Sequence, residues 1–381
     1  YTPVSKISKL LISFTNETIT QIISTHIVQN PTEFKMGIPR YLLPFSIVGS
    51  AVGGVVILRE LMGGPRYKAT ERVPGKTFIV TGANTGIGKY TAMELARLGG
   101  KVIMACRNPE SEQAKRTRFD IIDTTHNRNV HLKKLDLASL KSIQEFAEEI
   151  NKEEDKLDVL INNAGVMRCP KLLTEDGFEM QLGVNHLGHF LLTNLLLEKL
   201  KTSAPSRVVT LSSVAHERGE INFDDLNSSK TYHPARAYEQ SKLANAMFAI
   251  ELAKRLEGTG VTSNAVHPGI VNTEIGRHMK VNKSYIAWPI IGPIKFLFLK
   301  SPEQGAQTSL FCALDSSLEN VTGKYFKNCA ESHFVESAKN AADSKRLWAI
   351  SERWTRLVDP TTEKSKTEAT DTKKDSDSKK S

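Results

Sequence analysis

The chain has 381 residues, 40% of them hydrophobic, which is enough for one large α/β body with appendages. It carries 51 Lys and Arg against 42 Asp and Glu, a net charge of +9. The basic residues are scattered, without zinc-finger spacing or an aromatic-basic recognition motif, so nucleic acid is excluded as a partner. Cys106, Cys169, Cys312 and Cys329 show no CxxC spacing and are expected as reduced thiols. No metal site is expected either, since His186, His189 and His216 lack ligand-like spacing.

In chain order, residues 1–35 show no apolar period with caps and are read as a leader or non-native extension. Residues 36–73 are read as a membrane anchor and linker. Tyr41 to Leu58 carries no charge and is mostly apolar, flanked by Arg40 and by Arg59, Arg66, Lys68 and Arg72. A spanning helix needs about 20 apolar residues, so this one is at the short end. Pro44, Gly49, Gly53 and Gly54 weaken it in water but are acceptable in lipid. An uncleaved anchor through residues 41–58 is expected, with a cleaved signal segment or an interfacial helix as alternatives. Residues 360–381 contain nothing apolar larger than alanine and are expected to form a disordered tail.

Between these flanks, Thr77 to Thr81, Val102 to Ala105, Val130 to Leu135, Val159 to Ile161, Val208 to Leu211 and Val261 to Val266 read as strands. Leu140 to Ile150 and Ala244 to Leu256 have helical apolar spacing. The alternation predicts one doubly wound, Rossmann-type α/β domain over residues 74–359, its parallel sheet covered on both faces. A ligand would bind beyond the C-terminal strand ends, near the point where strand order reverses.

The first predicted strand leads into Gly82-Ala83-Asn84-Thr85-Gly86-Ile87-Gly88 and then a helix. Glycines there permit a tight turn and close approach to a phosphate, which the helix N-terminus attracts. The second strand ends in Ala105-Cys106-Arg107, without the carboxylate that would bond the 2′-hydroxyl of NAD. Arg107 suits a 2′-phosphate, or is a solvated loop residue. NADP(H) is therefore expected, with NAD(H) bound at lower affinity. Asp136 is a candidate for the adenine edge, with a helix N-cap as its plain alternative. Tyr238 and Lys242 stand four apart on a predicted helix and share a face. Such pairs also occur as ordinary surface pairs, but a lysine cation there would favour the phenolate of a tyrosine whose free pKa is about 10.

The ordered set Thr81-Gly82-x-x-x-Gly86-x-Gly88, Asn162-Asn163-Ala164-Gly165, Asn185, Ser213, Tyr238-x-x-x-Lys242 and Pro268-Gly269 resembles the short-chain dehydrogenase/reductase family, from about Pro74 to Val358. Ala105-Cys106-Arg107, Asn163 to Met167, Val184 to Phe190 and Ser212 to His216 further resemble its retinol dehydrogenase subgroup. Met36 to Pro44 is similar to the opening of a mitochondrial type within it. The resemblance implies a catalytic set of Asn185, Ser213, Tyr238 and Lys242. It implies cofactor contacts at Gly82, Asn84, Thr85, Gly86, Ile87, Gly88, Arg107, Asp136, Leu137, Asn163, Ala164, Gly165, Tyr238, Lys242, Pro268, Gly269, Val271 and Thr273. Tyr238 would exchange the proton, Ser213 hold the substrate oxygen, Lys242 lower the tyrosine pKa and bond the cofactor ribose, and Asn185 hold a water.

The expected activity is NADP(H)-dependent interconversion of a lipophilic alcohol and its aldehyde or ketone, retinol and retinal first. Carbonyl reduction of lipid aldehydes or steroids, and a low-turnover NADP-binding scaffold, are the alternatives. Tyr285 to Leu299, rich in large apolar residues, reads equally as core or lid and as a pocket open to lipid. The expected location is a membrane, the mitochondrial inner membrane ahead of the endoplasmic reticulum. A homo-oligomer is left open.

Overall fold

A computed structural model describes residues 42–69, 71–276 and 299–357. The expectations for residues 1–35, for the 360–381 tail and for all but the last residue of Tyr285–Leu299 lie outside these. The chain divides into two units, Tyr1–Leu58 and Arg59–Ser381.

The described part of the first unit is helical, belonging to α1 (Leu42–Gly63). Pro44 stands in its first turn, where a missing N–H breaks no helical bond. The helix continues past the uncharged stretch into Arg59 and Glu60. Val52, Val56 and Ile57 are half exposed or more. Among the described residues no helix is long and apolar enough to cross a membrane, so the spanning anchor expected over residues 41–58 is not seen.

In the second unit six strands fall within a residue or two of the expected positions: β1 (Thr77–Thr81), β2 (Lys101–Cys106), β3 (Val130–Lys134), β4 (Val159–Asn162), β5 (Ser206–Leu211) and β6 (Val261–His267). Two more were not foreseen, β7 (Tyr325–Lys327) and β8 (Ala330–Ser332). The sheet has eight strands in the order 3-2-1-4-5-6-7-8, all pairs parallel except β7 with β8. The flanking helices of eight residues or more are α2 (Gly86–Arg97), α3 (Glu112–Thr125), α4 (Leu140–Glu153), α5 (Gly188–Leu195), α6 (Pro234–Arg255), α7 (Pro302–Leu314) and α8 (Ala341–Trp354).

Successive strand residues point to opposite faces, and both faces here are buried. Ile79, Ile103, Leu160 and Val208 enter one core with residues of α4, α5 and α6. Phe78, Val80, Val102, Met104 and Ile161 enter the other with residues of α2 and α7. This is why the strands read as near-continuous apolar runs rather than alternating ones. Trp348 of α8 meets Phe190 edge-on at 4.8 Å and stacks on Phe248 at 5.8 Å, with the Arg255 guanidinium 4.1 Å from its ring. Since β1 pairs with β2 on one side and β4 on the other, strand order reverses at β1, and a crevice opens beyond its C-terminal end.

Candidate active site

A cavity of about 530 Å³ occupies that crevice. Of the expected cofactor contacts, Gly82, Asn84, Thr85, Gly86, Ile87, Gly88, Arg107, Asp136, Leu137, Asn163, Ala164, Gly165 and Thr273 line it. Cys106, read from the sequence beside Arg107, lines it as well, as do Asn108, Ser111, Glu274 and Ile275, which were not singled out from the sequence. Pro268, Gly269, Val271, Tyr238 and Lys242 are not among its lining residues. Val271 is bridged to Lys300 and faces α7, where a Cβ on Gly305 would come within 2.7 Å of its side chain.

The glycine-rich turn is shaped for a phosphate. Gly82 and Gly86 have φ of 65° and 56°, a left-handed conformation that glycine adopts without strain. A side chain on Gly88 would collide with the Gly82 carbonyl and lie 2.6 Å from Asn163 Nδ2. Thr85 at the N-cap of α2 makes no side-chain capping bond, so the first-turn N–H groups are left to face an anion. Arg107 directly follows β2 and is exposed. Asp136 is not the N-cap of α4. That place belongs to Ser139, while Asp136 Oδ1 accepts from Ala138 N at 2.9 Å. These residues fit a dinucleotide with its pyrophosphate at the start of α2. Cys106 is a poor nucleophile, because burial pushes its thiol up to about 11.

The four residues of the expected catalytic set lie at the C-terminal end of β5 and around α6. Ser213 follows β5 and caps a short 3-10 turn, its Oγ accepting from Ala215 N at 3.2 Å. Tyr238 and Lys242 are buried one turn apart on α6. Burial pushes the Tyr238 phenol up to about 12, against the opposing effects of its hydrogen bond with Ser213 and the Arg168 charge. Burial also brings Lys242 down to about 8. In this state desolvation, not the lysine, dominates the phenol.

Asn185 lies in a π turn, Gly183–Leu187. Its Nδ2 donates to Val166 O at 3.0 Å and to Ser241 Oγ at 2.9 Å, and its Oδ1 accepts from Val166 N at 2.8 Å. The side chain is thus committed to joining the cleft wall to α6. Any water held by Asn185 falls to its backbone carbonyl, which already accepts from His189 Nδ1 at 3.0 Å and has a second lone pair.

Sequence reasoning weighed His189 only as a metal ligand and set it aside, although its place four residues after Asn185 in a helical stretch is the spacing that brings side chains together. It also missed Gln181, fully buried, whose Oε1 accepts from Arg168 N at 2.7 Å and whose Nε2 donates to Pro234 O at 3.0 Å. This amide fixes the loop after β4 against the first residue of α6. The four cysteines, all among the described residues, form no disulfide. Among the described residues no group of three or more His, Cys, Asp or Glu is placed to hold a metal.

A parallel sheet with this crevice, and Ser213, Tyr238 and Lys242 beside it, define a dinucleotide-dependent oxidoreductase fold, and the short chain dehydrogenase family model matches residues 76–284. The chain belongs to that family. It is an oxidoreductase related to the retinol dehydrogenases, being 53% identical to retinol dehydrogenase 13 of Homo sapiens over 322 residues, 84% of this chain and 97% of that protein. It is 48% identical to retinol dehydrogenase 14 of Mus musculus over 319 residues, 80% of this chain and 95% of that one. Among solved structures, a protein from Beutenbergia cavernae assigned by description alone as an NAD(P)-dependent gluconate 5-dehydrogenase, with NADP bound at low occupancy, matches with a TM-score of 0.54 and 27% identity, over 68% of this chain and 96% of that one.

Proposed function

We propose that the protein is an NADP(H)-dependent reductase of lipophilic carbonyl compounds, retinal first among them, working reversibly on the corresponding alcohols. The observation that carries this reading is the buried Tyr238 with Ser213 acting on its phenol and buried Lys242 one turn along the same helix, close to a cleft whose β2 end presents Arg107 and no acid.

A dinucleotide bound in the cleft supplies or accepts the hydride. The side chains handle the proton. Tyr238 protonates the carbonyl oxygen in reduction and takes the proton back in oxidation, while the Ser213 hydroxyl donates to the same oxygen and orients it. A phenol held at about 12 is fully protonated at neutral pH, the form that reduction requires. Lys242 completes the route by which the phenol regains its proton. Arg107 would pair with a 2′-phosphate, favouring NADP(H) over NAD(H).

Attachment to a membrane through residues 41–58 belongs to the same proposal. It is supported by the uncharged sequence and by exposed Val52, Val56, Ile57 and Leu58. The mitochondrial inner membrane is placed ahead of the endoplasmic reticulum on the resemblance of residues 36–44.

The test is a substrate panel of retinal, lipid aldehydes and steroid ketones with NADPH and NADH on the detergent-solubilised protein. Retinal reduction with NADPH in preference to NADH is expected. Tight NADPH binding without turnover of any carbonyl would instead identify a scaffold.

A further inference from the structure

We propose that His189 is a positioning residue, coupling the turn that carries Asn185 to the backbone flooring the dinucleotide cleft; the proposal rests on the reductase reading above. His189 is 1% exposed, and each ring nitrogen has a partner. Nδ1 lies 3.0 Å from the Asn185 carbonyl oxygen, which can only accept, so Nδ1 carries the hydrogen. Burial lowers the imidazole to about 4, so the ring is neutral at physiological pH and Nε2 holds a lone pair. Nε2 lies 2.9 Å from Thr81 Oγ1, and the Thr81 hydroxyl must therefore donate to it.

The remaining valences of that hydroxyl are also assigned. Thr81 Oγ1 accepts the backbone N–H of Asn163 and of Ala164, each at 2.9 Å. Its other acceptor, Ile161 O, is 3.4 Å away, too long to replace the imidazole. Every hydrogen is thereby oriented from Asn185 O, through the imidazole and the hydroxyl, to two residues that line the cleft. At the far end the Asn185 side chain bonds Ser241, between Tyr238 and Lys242 on α6. The imidazole thus stands between the proton-transfer helix and the cofactor loop. It touches neither ligand, and it acts through its two neighbours.

Two substitutions separate its two bonds. In His189→Gln the amide oxygen can take the place of Nε2 and still accept from Thr81, while the bond to Asn185 is lost. In His189→Asn the amide nitrogen can take the place of Nδ1 and still donate to Asn185, while the bond to Thr81 is lost. With NADPH affinity read by quenching of protein fluorescence and kcat on retinal, His189→Gln should keep Kd within about twofold and lower kcat about fivefold or more, the cost of one buried hydrogen bond. His189→Asn should do the reverse, raising Kd for NADPH about fivefold or more with the smaller loss in kcat. Thr81→Val should raise Kd more than His189→Asn, since it also strands the Asn163 and Ala164 N–H groups, and adding His189→Asn to it should raise Kd no further, whereas Thr81→Ser should keep wild-type affinity. Variants that lose thermal stability alone, with Kd and kcat both at wild-type values, would overturn the proposal. If the unmodified protein reduced no carbonyl compound, the reductase reading would fall, and the split in NADPH affinity would still decide for or against the coupling.

Discussion

The Lys242 ammonium stands 5.8 Å from the centre of the Tyr238 ring and donates its hydrogen bond to the Leu211 carbonyl, 2.9 Å away at the end of β5. The lysine is therefore anchored to the sheet rather than to the phenol. Both groups are buried in their neutralising direction, the phenol up to about 12 and the amine down to about 8.

Tyr238→Phe should retain NADPH affinity and the fold while turnover of retinal falls about a hundredfold or more, the usual contribution of a positioned acid or base. A residual rate within a few-fold of wild type would mean that the proton comes from elsewhere. In the cofactor-free protein, an ultraviolet difference titration between wild type and this variant should show no phenolate signal from Tyr238 until well above pH 10, since its value is about 12.

Lys242→Met should abolish efficient turnover and yet stabilise the fold at neutral pH. The fall of the buried amine from its ordinary value to about 8 corresponds to roughly 3 kcal/mol unfavourable to folding. The lost bond to Leu211 O offsets about 1 kcal/mol of that gain, and the same oxygen keeps its bond from Asn245 Nδ2 at 3.0 Å. Because the unfolded chain holds the proton to higher pH than the folded one, the penalty is complete below about pH 8. It is relieved as pH rises toward about 10.5, so the advantage of the variant in chemical denaturation should shrink across that window. A variant less stable than wild type at pH 7 would contradict this.

Arg107→Asp should weaken NADPH about ten- to a hundredfold while leaving NADH nearly unchanged or improved, because a charge-assisted bond is replaced by repulsion. Calorimetric titration of the two cofactors measures the ratio directly. Equal losses for both would show that Arg107 is a solvated loop residue.

Deletion of the residues before Gly64 should release a folded and active domain from the membrane fraction, since β1 begins at Thr77. Activity that stays with the membranes after a carbonate wash would place the attachment outside residues 41–58.

The sheet was readable from sequence where strands are fully buried and bounded by turn residues, as in Phe78-Ile79-Val80. The β7–β8 hairpin was not. Each strand has three residues, too few for a period, and the turn between them uses Asn328 and Cys329, with φ of 52° and 54°, where a glycine would have marked it. In the site, the glycine-rich turn and the Tyr238–Lys242 pair were legible because their spacing is local. His189 was not, because its second partner lies 108 residues away. Nor could spacing reveal that the Asn185 side chain is used up on Val166 and Ser241, or that Val271 packs toward α7.

The unfinished start of α2 bears on how much of this protein a cell contains. Thr85 supplies no side-chain cap, so a dinucleotide phosphate bound there, as proposed, would complete the turn that the chain leaves open. A ligand that binds only the folded form stabilises it by about 2.7 kcal/mol at a hundred times its dissociation constant. With a dinucleotide in the cleft as proposed, a fall in its total pool would raise the fraction of molecules open to proteases, and the lifetime of the protein would follow the supply of its cofactor.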